Sequence, residues 1–181
     1  MSDAKQTAFM QAYTDCHGPF LRYCSAIAYG RMDVQDLVQD VLLSAYQQFD
    51  RIERKDQLLH YLVRAARNRA ASAWRLGRRS ADLCERQAAR LQERGATPEQ
   101  LLDVQLLYKA LDRLPEQQRE ALVLFEVSGL SMAEIAVIQN CAEGAVKTRV
   151  SRARAALRGR LEGRSELPAA AILHVLILLL P

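Results

Sequence analysis

The stretch that decides the fold is GLSMAEIAVIQNCAEGAVKTRVSRARAAL, residues 129–157. Ser131, with Glu134 three residues later, forms a capping box and predicts that a short helix begins at the next residue. Asn140 is a residue type that adopts the left-handed conformation found at helix ends, and a second helix is expected from about Glu143. A short helix, a turn and a basic helix are typical of a helix-turn-helix that reads the major groove of DNA.

The second of these helices has an apolar side and a polar side. Val146, Val150, Ala153 and Leu157 recur at helical spacing and are expected to face the core. The alternative is an ordinary surface helix with solvated cations, but the capped first helix, the turn and the basic helix coincide here. The side chains expected on DNA are Glu143, Lys147, Thr148, Arg149, Ser151, Arg152 and Arg154.

Charge is distributed unevenly along the chain, although the net charge of the 181 residues is only +4. Residues 1–50 hold 3 cations and 6 acids, whereas residues 51–79 hold 9 cations and 2 acids. Residues 80–127 hold 6 cations and 9 acids, and the remaining residues hold 7 and 4. Two basic stretches separated by an acidic one predict two contacts with a polyanion, because neutralised phosphates release counterions and so drive binding.

Composition favours an all-α protein, because Ala, Leu, Arg, Gln and Glu dominate and no run of alternating β-branched residues appears. The first twenty residues are polar, which is unlike a secretory signal and predicts a cytoplasmic protein. Cys16, Cys24, Cys84 and Cys141 lack CxxC spacing and are expected to be reduced thiols. Cys16 lies beside His17, but no second pair at ligand spacing completes a metal site, so none is expected.

The N-terminal half is predicted to contain three helices. The first covers residues 4–15, is broken or kinked at Gly18 and Pro19, and then resumes, because proline lacks an amide hydrogen. The second helix starts near Asp33, and the third covers residues 57–76.

The C-terminal half begins after a polar segment, residues 80–96, which predicts a flexible inter-domain tether with some helical content. The Thr-Pro-Glu sequence at residues 97–99 is a strong helix start, with a capping residue and a proline in the first turn. The Leu-Pro pair at residues 114–115 ends that helix and begins the next, and the helix-turn-helix follows. The expected architecture is two small helical domains.

The third helix is expected to present basic side chains on its surface. Cations follow a nucleic-acid backbone, and the amide of an asparagine can read a base edge. Trp74 either stacks on a base or fills the core, and its spacing with Ala66 and Ala70 favours the core. The candidate DNA-binding residues of this region are Arg64, Arg67, Asn68, Arg69, Arg75, Arg78 and Arg79.

The second helix carries an acidic ridge that DNA contact does not explain, because carboxylates repel phosphate. Asp36 and Asp40 lie one turn apart, Asp33 lies three residues earlier, and Gln39 lies beside them. A protein partner with a basic face suits this ridge. The alternative is that acids near a helix N-terminus interact with the helix dipole, which accounts for Asp33 and Asp36 but poorly for Asp40.

Several motifs, in this order, resemble those of bacterial sigma factors. They are DVQDLVQD (33–40), YLVRAARNR (61–69), LPEQQRE (114–120) and VKTRVSRAR (146–154). Their order and spacing are similar to those of the extracytoplasmic-function (ECF) group, whose members keep only sigma regions 2 and 4. The resemblance covers about residues 8–160.

The resemblance implies an alternative sigma factor that binds core RNA polymerase and directs promoter recognition, DNA melting and transcription initiation. It implies sigma region 2 over residues 4–79, a linker over residues 80–97 and sigma region 4 over residues 98–162. An apolar tail would follow over residues 163–181.

The implied partners are core RNA polymerase, promoter DNA and an anti-sigma factor. The third helix and the loop over residues 50–56 would hold the −10 element, with an extruded base in a pocket made partly by that loop. The helix-turn-helix would read the −35 element, and the second domain would also meet the polymerase β flap. The residues implied in binding the coiled coil of the β′ subunit are Asp33, Asp36, Leu37, Gln39 and Asp40.

No enzymatic activity, cofactor or small-molecule substrate is implied, and the sequence offers no nucleophile and base combination or phosphate-binding glycine loop. The main alternative is a stand-alone helix-turn-helix repressor or activator with an N-terminal effector domain. It leaves the acidic ridge and the second basic helix unexplained. A helical adaptor without DNA contact does not explain the segmental charge.

Three positions depart from the family pattern. Ala142 stands where a Ser or Thr usually caps the recognition helix, which removes a cap and a phosphate contact. Asn140 replaces a common glycine, and Ala145 stands where a hydroxyl-bearing residue is frequent.

The C-terminal tail is nearly pure apolar sequence from residue 169 to residue 180, broken by His174. Twelve residues are too few to span a bilayer, for which about twenty are needed. Three interpretations of the tail are open. It is a helix packed on a groove of this protein or of a partner, it associates with a membrane surface, or it acts as a regulatory clamp. We expect the tail to be dispensable for polymerase-directed initiation but not for solubility, oligomeric state or response to a regulator.

Overall fold

The structure, a computed structural model, describes residues 2–52, 57–75 and 80–161, with the backbone alone described for residues 2 and 72–75. No strand occurs in these residues, and the all-α prediction is confirmed. A 3-10 turn at Phe49–Arg51 follows the second helix. The helices are α1 (Ser2–Ala28), α2 (Val34–Gln48), α3 (Leu58–Arg75), α4 (Ala81–Glu93), α5 (Pro98–Leu111), α6 (Glu116–Glu126), α7 (Met132–Gln139) and α8 (Glu143–Leu161).

The chain divides into two compact units, Met1–Cys84 and Glu85–Pro181, and the boundary falls inside α4. The segment predicted as a flexible tether is therefore a helix over most of its length. Its Ala, Leu, Glu, Gln and Arg residues are strong helix formers, which outweigh its polarity. Ser80 precedes this helix, and its Oγ accepts a hydrogen bond from the Leu83 amide at 3.4 Å.

Helix α1 runs through Pro19, so of the predicted break or kink the break does not occur. A proline inside a helix removes one hydrogen bond and crowds the preceding turn, at a cost of about 3 kcal/mol. Phe9 and Tyr13 before the proline, and Phe20 and Tyr23 after it, are all buried. Burying each of these rings contributes about 1.5–3 kcal/mol, so packing on both sides of Pro19 offsets the lost bond.

The core of the first unit is formed where α1, α2 and α3 pack on one another. The Phe9 ring meets the rings of Tyr46 and Phe49 edge to face, at centroid distances of 5.5 and 5.2 Å. Leu37 and Val41 bury the inner side of α2. This packing leaves the opposite side of α2 on the surface, where the acidic ridge lies.

The core of the second unit forms around α8, which packs against α5, α6 and α7. Val146, Val150, Ala153 and Leu157 are all buried, which confirms the predicted inner side of this helix. Helix α5 begins after the capping residue Thr97, as predicted, and Gln100 completes a capping box, with the Thr97 amide donating to Gln100 Oε1 at 2.9 Å.

Candidate nucleic-acid and protein interfaces

The helix-turn-helix has the local structure that its sequence predicts. The Glu134 amide donates to Ser131 Oγ at 3.3 Å, and the Ser131 amide donates to Glu134 Oε2 at 2.8 Å. Asn140 ends α7 in the left-handed conformation, with φ 49° and ψ 56°. A two-residue connection then leads into Glu143, the first residue of α8. The capping box and the sharp turn together fix where the basic helix begins.

The first turn of α8 lacks a capping side chain. The carbonyl of Ala142 accepts hydrogen bonds from the amides of Ala145, at 2.9 Å, and Val146, at 3.3 Å. Ala142 therefore occupies the N-cap position, and its methyl group offers no acceptor to the free amides of the first turn. The alanine that departs from the family pattern at this position therefore leaves α8 without the side-chain hydrogen bond that a Ser or Thr would provide.

The outward side of α8 presents four exposed polar residues, namely Lys147, Thr148, Ser151 and Arg152. Lys147 Nζ lies 2.9 Å from a carboxylate oxygen of Glu143, one turn earlier. Such an exposed pair is worth little and yields readily to a phosphate. Thr148 and Arg152 lie one turn apart, opposite the buried residues, where a helix in the major groove faces base edges.

A groove of about 260 Å³ runs along α8 beside the start of α7. Lys147, Arg154 and Arg158 line it at spacings of seven and four residues, so their positive charges follow one edge of the helix. Arg158 was missing from the sequence-based set, although its spacing from Arg154 was a readable signal. The complete lining is Met132, Lys147, Val150, Ser151, Arg154, Ala155 and Arg158.

Two arginines predicted to face DNA also make contacts with neighbouring helices. Arg154 Nε donates to Glu126 Oε1 at 2.6 Å, and its guanidinium lies 5.3 Å from the centroid of the Phe125 ring. Arg149 is half-buried and donates to Gln117 on α6 and Gln139 on α7. Helical spacing placed both side chains among the polar ones, but it did not show that acceptors on α6 and α7 lie within their reach.

Helix α3 presents its cations on the side opposite its core. Arg64 and Asn68 are exposed one turn apart, and Arg67 lies beside them and is half-buried. Arg69 lies at the flank, where its Nε is 4.0 Å from Asp40 Oδ2 on α2. The predicted contacts of Trp74, Arg75, Arg78 and Arg79, and the loop pocket at residues 53–56, lie outside the described side chains, as does the tail at residues 163–181.

The acidic ridge divides into a cap and an exposed surface. Asp33 caps α2, with its Oδ1 accepting from the Gln35 amide at 2.8 Å, which supports the helix-terminus alternative for this residue. Asp36, Gln39 and Asp40 are exposed. Leu37 is 3% exposed, so it holds α2 in the core and has no surface to offer a partner.

Leu43 is a surface residue of α2 that the sequence analysis missed. It is 59% exposed, one turn beyond Gln39 and two turns beyond Asp36. The sequence did contain an indication of this exposure, because Leu43 does not share the four-residue spacing of the buried residues Leu37, Val41 and Ala45. We define the α2 face as Asp36, Gln39, Asp40 and Leu43, a surface with acidic and amide residues followed by one exposed leucine at its C-terminal end.

The thiol and imidazole once considered for a metal already have partners. Cys16 Sγ donates to the Ala12 carbonyl at 3.0 Å, and burial raises the pKa of this thiol. His17 Nδ1 lies 2.9 Å from the Tyr13 hydroxyl. No cluster of potential metal ligands occurs among the described residues, and no helix in that part of the chain has the length and apolarity to cross a bilayer.

Two family profiles match the chain, one within each of the two units. Residues 3–80 match the family profile of Sigma-70 region 2, and residues 105–157 match that of Sigma-70, region 4. ECF RNA polymerase sigma factor EcfG of Rhodopseudomonas palustris (strain TIE-1) is 35% identical over 144 residues, covering 79% of this chain and 80% of the relative. ECF RNA polymerase sigma-E factor of Escherichia coli (strain K12) is 33% identical over 142 residues, covering 72% and 74%.

The solved structures that are similar to this fold include two complexes. The sigma factor RpoE in complex with the anti-sigma factor NepR, from Bartonella quintana, has a TM-score of 0.61 at 31% identity, covering 86% of this chain and 98% of RpoE. CnrH in complex with the cytosolic domain of CnrY has a TM-score of 0.67 at 26% identity, covering 91% of this chain and 94% of CnrH.

Proposed function

The chain belongs to the extracytoplasmic-function group of the sigma-70 family, and we propose how its two units share the work of an alternative sigma factor. It binds core RNA polymerase and directs promoter recognition and initiation. We assign residues 4–79 to region 2, residues 80–97 to the linker and residues 98–162 to region 4. The protein acts in the cytoplasm, beside the polymerase, and the chemistry of RNA synthesis belongs to the polymerase.

The observation that carries the assignment is the separation of charge between helices. The α2 face exposes Asp36 and Asp40 beside Leu43, whereas α3 and α8 expose cations. An exposed leucine beside two carboxylates suits a basic protein surface, because the apolar group supplies affinity and the charges select the partner. We therefore assign the α2 face to the β′ coiled coil, with Asp33 and Leu37 holding the helix.

The exposed side of α3 is assigned to the −10 element. Arg64 and Arg67 supply charge along a backbone, and the Asn68 amide supplies donors and an acceptor for a base edge. Arg69 stands between this surface and the α2 face through its contact with Asp40. Arg75, Arg78 and Arg79 extend the proposal beyond the described side chains.

The outward side of α8 is assigned to the −35 element. Thr148 and Arg152 face base edges, with Glu143, Lys147 and Ser151 around them. Arg158 joins Lys147 at the groove, where both face the DNA backbone. Region 4 also meets the β flap, as the family resemblance implies.

An anti-sigma factor is proposed as the regulator. RpoE is in complex with the anti-sigma factor NepR, and CnrH is in complex with the cytosolic domain of CnrY. A regulator that covers the α2 face would compete with polymerase for Leu43 and its acidic neighbours.

The test is transcription of fragmented genomic DNA by purified core polymerase with and without this chain, with start sites mapped by sequencing the transcripts. A sigma factor produces new start sites that share −35 and −10 sequences. A stand-alone repressor or activator produces none with core polymerase alone, and that result would overturn the proposal.

A further inference from the structure

Arg149 lies at the meeting point of three structural elements. Its Nη1 donates to Gln139 Oε1 of α7 at 2.7 Å and approaches Cys141 Sγ, in the turn, at 3.0 Å. Its Nη2 donates to Gln117 Oε1 of α6 at 2.7 Å. The two short bonds are charge-assisted, and a planar guanidinium holds such acceptors in fixed directions. Arg149 thus ties α8 to α6 and α7.

The amide of Gln139 extends this network to an anion. Its Nε2 donates to Glu120 Oε2 at 2.8 Å and to the Gln117 carbonyl at 3.1 Å. Glu120 is 9% exposed, so its carboxylate depends on such donors for compensation. The Gln139 side chain therefore links the cation of Arg149 to the carboxylate of Glu120, and its carbonyl and amino groups are both used.

We propose that Arg149 is a positioning residue of the −35 recognition helix and makes no contact with DNA. This inference rests on the proposed function of α8. The guanidinium of Arg149 is directed at acceptors on α6 and α7, whereas the exposed Thr148 and Arg152 lie on the outward side of the same helix. Holding α8 at one angle fixes where those two side chains meet the base pairs.

Sequence selectivity is the property that this network should control. Base readout requires hydrogen bonds of correct length and direction, whereas attraction to phosphates tolerates small changes in helix angle. Loosening α8 should therefore lower affinity for the −35 element while leaving the electrostatic part of binding in place. Removal of a phosphate contact has the opposite signature, because it weakens all sequences alike and reduces the salt dependence of binding.

The experiment measures binding of the full-length chain to a −35 duplex, taken from the mapped promoters, and to a scrambled duplex at several salt concentrations. Arg149→Ala, which removes the charge, is measured for its salt slope. The other two variants are Arg149→Lys, which keeps the charge, and Gln139→Ala, which changes no charge. Both should lower the ratio of specific to scrambled affinity by about tenfold, the effect of losing one base contact, with an unchanged salt slope. Arg152→Ala is the matched cation control, and helical content of each variant is checked by circular dichroism.

Two results would overturn the inference while the wild-type chain still prefers the −35 duplex. One is wild-type selectivity in Arg149→Lys combined with a salt slope reduced by about 0.9 in Arg149→Ala, the mark of a lost phosphate contact. The other is full selectivity in Gln139→Ala. A wild-type chain that shows no preference between the duplexes would instead refute the assignment of α8 itself, so the two failures are distinct.

Discussion

Helices α3 and α8 are the basic helices of their units, but they hold their arginines differently. On α8, Arg149 and Arg154 make bonds of 2.6–2.7 Å to neighbouring helices. On α3, Arg69 reaches Asp40 at 4.0 Å, on the surface, where an ion pair contributes little. The difference teaches that Arg149 and Arg154 hold α8 against its neighbouring helices, whereas the contact of Arg69 adds little to the packing of α3 on α2.

The α2 face differs from the two basic helices in its proposed partner, which is core polymerase. Charge reversal on the α2 face should produce the largest effect, a loss of affinity for that partner. Asp36→Lys combined with Asp40→Lys should reduce affinity for core polymerase by more than about a thousandfold, because each reversal places like charges together at several kcal/mol. A pull-down with purified polymerase measures this loss. Asp3→Lys with Asp15→Lys, both exposed on α1, changes the net charge equally and should bind normally. Unchanged affinity of the Asp36/Asp40 variant would refute the assignment.

Removing one core leucine from each unit should separate the two functions. Leu157→Ala in the second unit and Leu62→Ala in the first should each lower stability by about 2–5 kcal/mol, because both side chains are fully buried. Leu157→Ala should reduce −35 binding more than polymerase binding. Leu62→Ala should reduce polymerase binding more than −35 binding. Urea denaturation and the two binding assays measure these effects. Leu102→Ala, at a residue 56% exposed, is the control and should cost under about 0.5 kcal/mol.

Truncating Arg152 should show that the duplex contact lies on the outward side of α8. Arg152→Ala should cost about 1–3 kcal/mol of −35 binding and relax preference at one base pair if the side chain reads a base. Lys109→Ala removes an exposed cation from α5 and should leave the preference intact. Untouched promoter binding in Arg152→Ala would mean that this side of α8 does not face DNA.

Substitution of Leu43 tests whether the exposed leucine of the α2 face contributes to polymerase binding. Leu43→Ala should weaken polymerase binding by about 1–2 kcal/mol, the share of leucine burial that its present exposure leaves to be gained. Met10→Ala on α1, where the side chain is 52% exposed, should have no effect on the same binding assay. Equal effects of the two changes would show that Leu43 has no special place in the interface.

The smallest expected effect concerns the missing cap of α8. Ala142→Ser should raise stability by about 0.5–1 kcal/mol, because a hydroxyl at the N-cap accepts from an otherwise free amide. Ala155→Ser places the same group in the middle of the helix, where no free amide awaits it, and should give no gain. Thermal denaturation of both variants decides the matter, and equal stabilities would contradict the N-cap assignment of Ala142.

Helix boundaries set by local chemistry were predictable from the sequence. Ser131 with Glu134, Thr97 with Pro98, and Asn140 each fix a helix end through hydrogen bonds or backbone conformation within a few residues. The continuity of α1 was not predictable, because burial of residues on both sides of Pro19 depends on α2 and α3. Local signals report local energies, and packing between distant segments overrides them.

The candidate surfaces were predictable in location but not in the role of each side chain. The charge pattern predicts polyanion contacts on α3 and α8. It does not show that Arg149 differs from Arg152 in its contacts, because the acceptors of Arg149 lie 10 and 32 positions earlier in the chain. The same limit hid Leu43, because an exposed leucine and a buried one look alike without the neighbouring helices. Three-dimensional contacts are needed to distinguish a side chain that binds a partner from one that holds its own helix.

Site-specific photocrosslinking in the initiation complex tests the division of labour most directly. A photoreactive amino acid is placed at the position of Gln39 on the α2 face in one variant and of Thr148 on α8 in another, and both are assembled with core polymerase and promoter DNA. Position 39 is expected to crosslink to a polymerase subunit and position 148 to DNA at the −35 element. Crosslinking of position 39 to DNA, or of position 148 to polymerase alone, would contradict the assignment of the two surfaces.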